Sequence, residues 1–87
     1  MVPLFAEFLG TFALVLSIFF TGNWLMIGLT LALVVYAIGG ISGGHVNPAV
    51  SFAMFMKGSL GMTEFLQYAA VQLLGGFAAV YAQRLLI

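Results

Sequence analysis

Ile41-Ser42-Gly43-Gly44-His45-Val46-Asn47-Pro48-Ala49-Val50-Ser51 is a polar, glycine-rich turn that runs straight into a proline able to start a helix. Apolar sequence lies on both sides of it. Hydrocarbon tolerates non-helical backbone only where protein buries it or where it lines a watery cavity. A loop of this kind between apolar segments points to a pore or a binding site.

Composition sets the class. Of 87 residues, 64% are hydrophobic and 5% charged, with a mean hydropathy of +1.26. A soluble domain of this size needs a charged surface, and this chain has almost no residues to make one. It reads as an integral membrane protein without a soluble domain. Two acids and two bases give a net charge of zero, which argues against nucleic acid or any charged macromolecular partner. The absence of cysteine excludes a disulfide framework. One histidine and two acids far apart in sequence make neither a metal set nor a nucleophile–base pair, so no enzyme, metal or cofactor is expected. The N-terminus has no basic stretch and no obvious cleavage site, and the first apolar stretch reads as a retained helix, not a signal peptide.

Working outward from the loop, the chain divides into three spans and one interruption. Residues 4–21 are apolar apart from Glu7 and about long enough to cross ~30 Å of hydrocarbon. Thr21-Gly22-Asn23 is a turn by residue type, and Trp24 beside it suits the membrane interface. A second span covers 24–39. The re-entrant loop and a short helix cover 41–57; from Pro48 to Lys57 that helix is only ~15 Å long at ~1.5 Å per residue, half a bilayer. Gly58 is expected to cap it, with Lys57 at the negative end of the dipole. Thr63 is expected to cap a third span, 63–84, with Glu64 in its first turn. The fold class is therefore an all-α membrane protein: three transmembrane helices plus one re-entrant half-helix, in a single repeat over 1–87. The half-helix N-terminus presents unpaired N–H groups and the positive end of a dipole near the midplane, and Asn47 adds a side-chain donor. Such chemistry holds a neutral hydrogen-bonding solute and repels cations.

These blocks resemble the N-terminal half of an aquaporin, one Asn-Pro-Ala repeat of the major intrinsic protein family. Ala6-Glu7-Phe8-Leu9-Gly10-Thr11-Phe12 is similar to the family's first helix. The loop from Ser42 to Ser51 resembles its first Asn-Pro-Ala loop. Tyr68 and Gln72 followed by Gly75-Gly76 resemble its third helix, with Val71 where alanine is usual. The resemblance implies a pore lined by Asn47, Pro48, Ala49 and Val50, with Ile27 early in the second helix. Backbone carbonyls of Gly43, Gly44, His45 and Val46 would accept from a file of waters. Glu7 would hold the loop from behind by accepting backbone N–H bonds. Gly10, Gly75 and Gly76 would let helices approach closely. Other readings stand beside these. Asn-Pro alone is also an ordinary turn, Glu7 could snorkel to water from the end of its span, and His45 could be packed against the loop instead of facing the pore. Tyr68 and Gln72, at i and i+4, could be interhelical hydrogen bonders only.

The departures from the family matter as much. A complete member has two such halves in inverted topology, and this chain has one. It is expected to be either a fragment of a longer protein or one partner of an antiparallel homodimer in the bilayer of the cell membrane, with higher oligomers of dimers or another half-repeat as further partners. Lys57 and Arg84 fall on opposite sides in the family's topology, which leaves almost no positive-inside bias and suits insertion in both directions. The family's second Asn-Pro-Ala is commonly followed by arginine; here Val50 follows. The expected filter is wide and apolar, open to glycerol-sized solutes, ammonia or gases beside water, although the Ser-Gly-Gly-His loop looks more like water-type members. A non-conducting fragment or accessory membrane subunit of a full-length channel is the alternative, and an alternating-access carrier a further one.

Overall fold

One two-residue turn, Gly22-Asn23, closes the first helix and opens the second. In the computed structural model, which describes residues 1–86, α1 (Val2–Thr21) ends where Gly22 turns left-handed at φ 54° and donates its N–H to the Ile18 carbonyl at 3.0 Å. Asn23 then caps α2 (Trp24–Ser42), its Oδ1 accepting the Leu25 and Met26 N–H groups at 3.0 Å each. At the other end of α1, Pro3 lies in the first turn, where a missing N–H costs nothing. Ile87, the last residue of the expected repeat, lies outside the described residues.

The half-helix α3 (Pro48–Lys57) is capped at both ends as its sequence demands. Asn47 Oδ1 accepts the Ala49 N–H at 2.8 Å, and Gly58 at φ 93° donates to the Met54 and Phe55 carbonyls. The last helix, α4 (Met62–Leu86), starts one residue before the expected boundary. Thr63 is therefore not its cap. The Gly61 carbonyl takes the first helical bond from Phe65 N–H at 2.9 Å, and the Glu64 carboxylate reaches back to Gly61 N–H at 3.1 Å. Glu64 supplies half of a capping box, so glycine suffices at the cap itself. The second helix also runs past the expected 39, to Ser42. Gly39 and Gly40 are compatible with a helix; the break comes at Gly43, where φ reaches 93°.

Three of the four helices are long and apolar enough to cross a membrane, and the described residues contain no strand. This is the architecture of half an aquaporin: all-α, three spans and a half-helix. Helix α1 is central and packs against both α2 and α4, while α3 packs on α4. Phe65 of α4 receives Phe52 and Phe55 of α3, with ring centroids 5.7 and 5.6 Å apart. At the α1–α4 crossing a Cβ on Gly75 would lie 2.6 Å from the Phe8 carbonyl oxygen, so the two backbones touch. Gly76 differs from that expectation: a Cβ there would meet only Val15 Cγ2, at 4.0 Å, an ordinary contact. Large apolar side chains such as Trp24, Leu33 and Phe77 face outward, while the polar Glu7, Thr11, Ser42, Ser51 and Gln72 are buried. That inversion of a soluble protein's arrangement suits lipid outside and a polar site within.

Candidate functional site

The buried polar residues converge behind the turn of residues 43–47. Glu7, one and a half turns into α1, has no exposed surface. Its carboxylate accepts four hydrogen bonds: Oε2 from Ser42 Oγ at 2.7 Å and His45 N at 2.9 Å, Oε1 from Val46 N at 2.7 Å and Gln72 Nε2 at 2.9 Å. A buried carboxylate without a cationic partner is costly, and four donors on its two oxygens are what offsets that cost. Full burial also means that Glu7 does not snorkel to water.

Helix α4 closes the frame. Tyr68 OH donates to the Ser42 carbonyl at 2.7 Å, satisfying one of the last acceptors of α2. Gln72 spends both amide hydrogens, on Glu7 and on Ser51 Oγ at 2.9 Å. This fixes the amide orientation, because a flipped Gln72 would set its oxygen against the carboxylate. Its Oε1 and the Thr11 hydroxyl are buried and have no hydrogen-bond partner among the described residues. Tyr68 and Gln72 are thus interhelical hydrogen bonders to the loop's supports. His45 is half-buried: Nδ1 lies 2.9 Å from Ser51 Oγ, and the ring packs on Tyr68 with centroids 5.1 Å apart. Ser42 and Ser51 join this network as well: Ser42 Oγ donates to Glu7 and accepts from Gly44 N–H, its carbonyl accepts from Tyr68, and Ser51 Oγ meets His45 and Gln72. From sequence alone a serine in a glycine-rich turn reads as a turn former, which conceals this role.

The loop's backbone is one-sided. Gly43 N–H bonds the Gly39 carbonyl, Gly44 N–H the Ser42 hydroxyl at 3.2 Å, and the His45 and Val46 N–H groups bond Glu7. All four donors are used inside the chain. Among the described residues, none of the carbonyls of Gly43, Gly44, His45 and Val46 accepts a hydrogen bond. Getting there takes left-handed backbone at Gly43, Gly44 and Val46, with φ of 93°, 64° and 43°. Gly44 is further confined, since a Cβ would come within 3.2 Å of Val35 Cα. Val46 is the single non-glycine residue with positive φ among those described, and only 3% of it is exposed. Its side chain points into the protein, against Gly10: a Cβ there would lie 2.7 Å from Val46 Cγ1, with Ile38 Cδ1 and Val34 Cγ1 at 2.9 and 3.0 Å. Gly10 therefore makes room for side chains, one from the loop and two from α2.

Asn47 follows, extended and exposed. Because its Oδ1 is held by Ala49 N–H, its Nδ2 is the free end, a donor without a partner among the described residues. Pro48 and Val50 are half-buried and Ala49 is exposed at the same end of α3. Ile27 is not brought to this cluster. It lies 15 residues before Ser42 on α2, ~22 Å away at ~1.5 Å per residue.

Comparison with known proteins agrees with this geometry. A family model described as Major intrinsic protein matches residues 20–86. The chain is 43% identical to aquaporin Z of Brucella melitensis, with 85% of the chain and 39% of that protein covered. It is 40% identical to aquaporin Z of Photorhabdus laumondii and 41% identical to glycerol uptake facilitator protein-like 6 of Lactiplantibacillus plantarum, each covering 85% of the chain and 38% of the relative. The chain thus spans less than half the length of these curated relatives. No solved structure matches it. With a family match over most of its length, and with its three spans and re-entrant half-helix, the chain belongs to the major intrinsic protein family.

Proposed function

We propose that the chain is half of a membrane channel for water and small neutral solutes, completed by an antiparallel second copy of itself in the cell membrane. The observation that carries this reading is the polarity of the loop. Its four N–H groups from Gly43 to Val46 are all held inward, which leaves a ladder of four carbonyl acceptors ending at the Asn47 Nδ2 donor. A water moving along acceptors and then meeting a donor at a positive helix end is turned over, so a continuous proton wire is broken there. The pairing adds a second half-helix from the opposite side, and Pro48 and Ala49 of the two copies meet at the midplane.

The filter in this reading is wide. Val50 follows Asn-Pro-Ala in both copies, so neither turn carries the arginine that commonly follows the family's second one, and Ile27 of one copy flanks Val50 of the other, both apolar. Glycerol-sized solutes, ammonia and gases then pass beside water. The relatives named for water and for glycerol uptake are about equally similar to the chain, which agrees with a filter that does not exclude glycerol. The test is osmotic shrinkage of vesicles holding the purified chain, followed by stopped flow with impermeant sugar and then with glycerol. Flux of both above that of empty vesicles is expected; flux equal to empty vesicles contradicts the reading.

One observation favours a second reading. The relatives are more than twice as long as the aligned segment, so the chain could act as a non-conducting fragment or accessory subunit that packs against a full-length channel. That reading expects no flux from the chain alone and cross-linking to a full-length relative in membranes.

A further inference from the structure

We infer that Val46 is a positioning residue: its isopropyl group, keyed into the notch left by Gly10, holds the backbone in the left-handed turn that aims Asn47 at the pore. The functional half of this statement rests on the channel reading above. The structural half does not.

Left-handed backbone is unfavourable for any residue with a Cβ and most of all for a β-branched one. A turn needing φ of 43° is ordinarily made by glycine, which this loop already uses at Gly43 and Gly44. A valine persists in such a conformation only when its surroundings over-determine it. Two contacts do so here. The Val46 N–H is held by Glu7 Oε1 at 2.7 Å, and the side chain is enclosed where α1 and α2 meet, next to a Gly10 whose missing Cβ would stand 2.7 Å from Val46 Cγ1. The N–H bond fixes one atom of the residue and leaves rotation about it. The wedged side chain removes that rotation. The next residue is Asn47, whose φ of −160° and capping bond to Ala49 then leave Nδ2 with one direction to face. A glycine at 46 would adopt the turn without strain, but it would lose the key.

The test uses the full chain in lipid bilayers and solid-state NMR, with water and glycerol flux measured in parallel. The readouts are the 13Cα and 13Cβ shifts of residue 46, which report its backbone region, and water-to-amide transfer at Asn47 Nδ2. Val46→Ala removes atoms only. It should move the residue 46 shifts away from left-handed values and weaken the ordered Asn47 signal. Gly10→Ala should expel Val46 and do the same more strongly. The double variant, with Ala at both positions, should show an Asn47 signal no stronger than that of Val46→Ala, because the 2.7 Å clash is relieved while the isopropyl key stays absent. A space-filling residue would lower stability in these variants and leave Asn47 where it is. An unchanged Asn47 signal in Val46→Ala, or a Gly10→Ala variant no more perturbed than Gly76→Ala, overturns the inference. If the unmodified chain carries no flux, the channel reading fails while the NMR comparison still decides the role of Val46.

Discussion

The Glu7 carboxylate accepts the Val46 amide at 2.7 Å, joining the first helix to the one non-glycine residue with left-handed backbone among those described. Because Oε1 and Oε2 each take two donors, the bond belongs to a set that also holds His45, Ser42 and Gln72. The site is therefore a property of three helices meeting behind a loop.

Replacing Glu7 by Gln keeps the shape and turns one acceptor oxygen into a donor facing two donors. Bonds to charged groups are worth about 1.5–3 kcal/mol each, and buried donors left unpaired cost a similar amount. The variant should lose about 3 kcal/mol of stability, read as a lower SDS midpoint in unfolding from mild detergent micelles followed by circular dichroism. A loss below about 0.5 kcal/mol, the range of neutral substitutions, would show that the carboxylate does not hold the loop.

Gly75 and Gly76 look alike in sequence and differ in space. An alanine Cβ at 75 meets the Phe8 carbonyl oxygen at 2.6 Å, and backbone cannot move aside cheaply. Gly75→Ala should cost about 1–3 kcal/mol, the usual range for overpacking. Gly76→Ala meets only Val15 at 4.0 Å and should change stability by less than about 0.5 kcal/mol. The same unfolding titration checks both; equal effects would mean that α1 and α4 do not cross at Gly75.

Asn47→Asp retains the oxygen that caps Ala49 and removes the Nδ2 donor, placing a negative charge at the positive end of α3. Helix content should be unchanged while ion exclusion fails. Proteoliposome water flux and proton leak, measured side by side, should show increased leak; both unchanged would remove Asn47 from the conducting path.

Val50→Arg adds donors and a positive charge beside the turn. In one copy of a tandem-linked pair it should lower glycerol flux more than water flux, since a bulky cation narrows the opening. If the unmodified chain already excludes glycerol, the wide filter is wrong, and His45 or an aromatic side chain of the second copy fills the space.

The outline of the fold was legible because lipid imposes it. A run such as 24–39 without a charge has to be helical, and Pro48, Gly58 and Lys57 mark the ends of a short helix by their own backbone chemistry. Boundaries were read less well where a partner side chain decides them. Ser42 stays helical with its hydroxyl on Glu7 and its carbonyl taken by Tyr68, contacts 35 and 26 residues away that no local pattern carries. Thr63 has the composition of a cap, yet Glu64 reaching back to Gly61 shifts the start. The same reason hid the pairing of Val46 with Gly10. A glycine in an apolar helix signals close approach, and only the three-dimensional arrangement tells which atoms approach.

The central claim is that two copies pair antiparallel with their Asn-Pro-Ala turns together. The chain has no cysteine, so Ala49→Cys introduces the only thiol, on an exposed residue at the turn. Treating this variant in bilayers with a short bismaleimide and then probing a C-terminal tag from each side of sealed vesicles is the direct measurement. Antiparallel pairing predicts a covalent dimer in which one tag is reached from outside and the other only after the vesicles are opened. No covalent dimer, or a dimer with both tags on the same face, would contradict it.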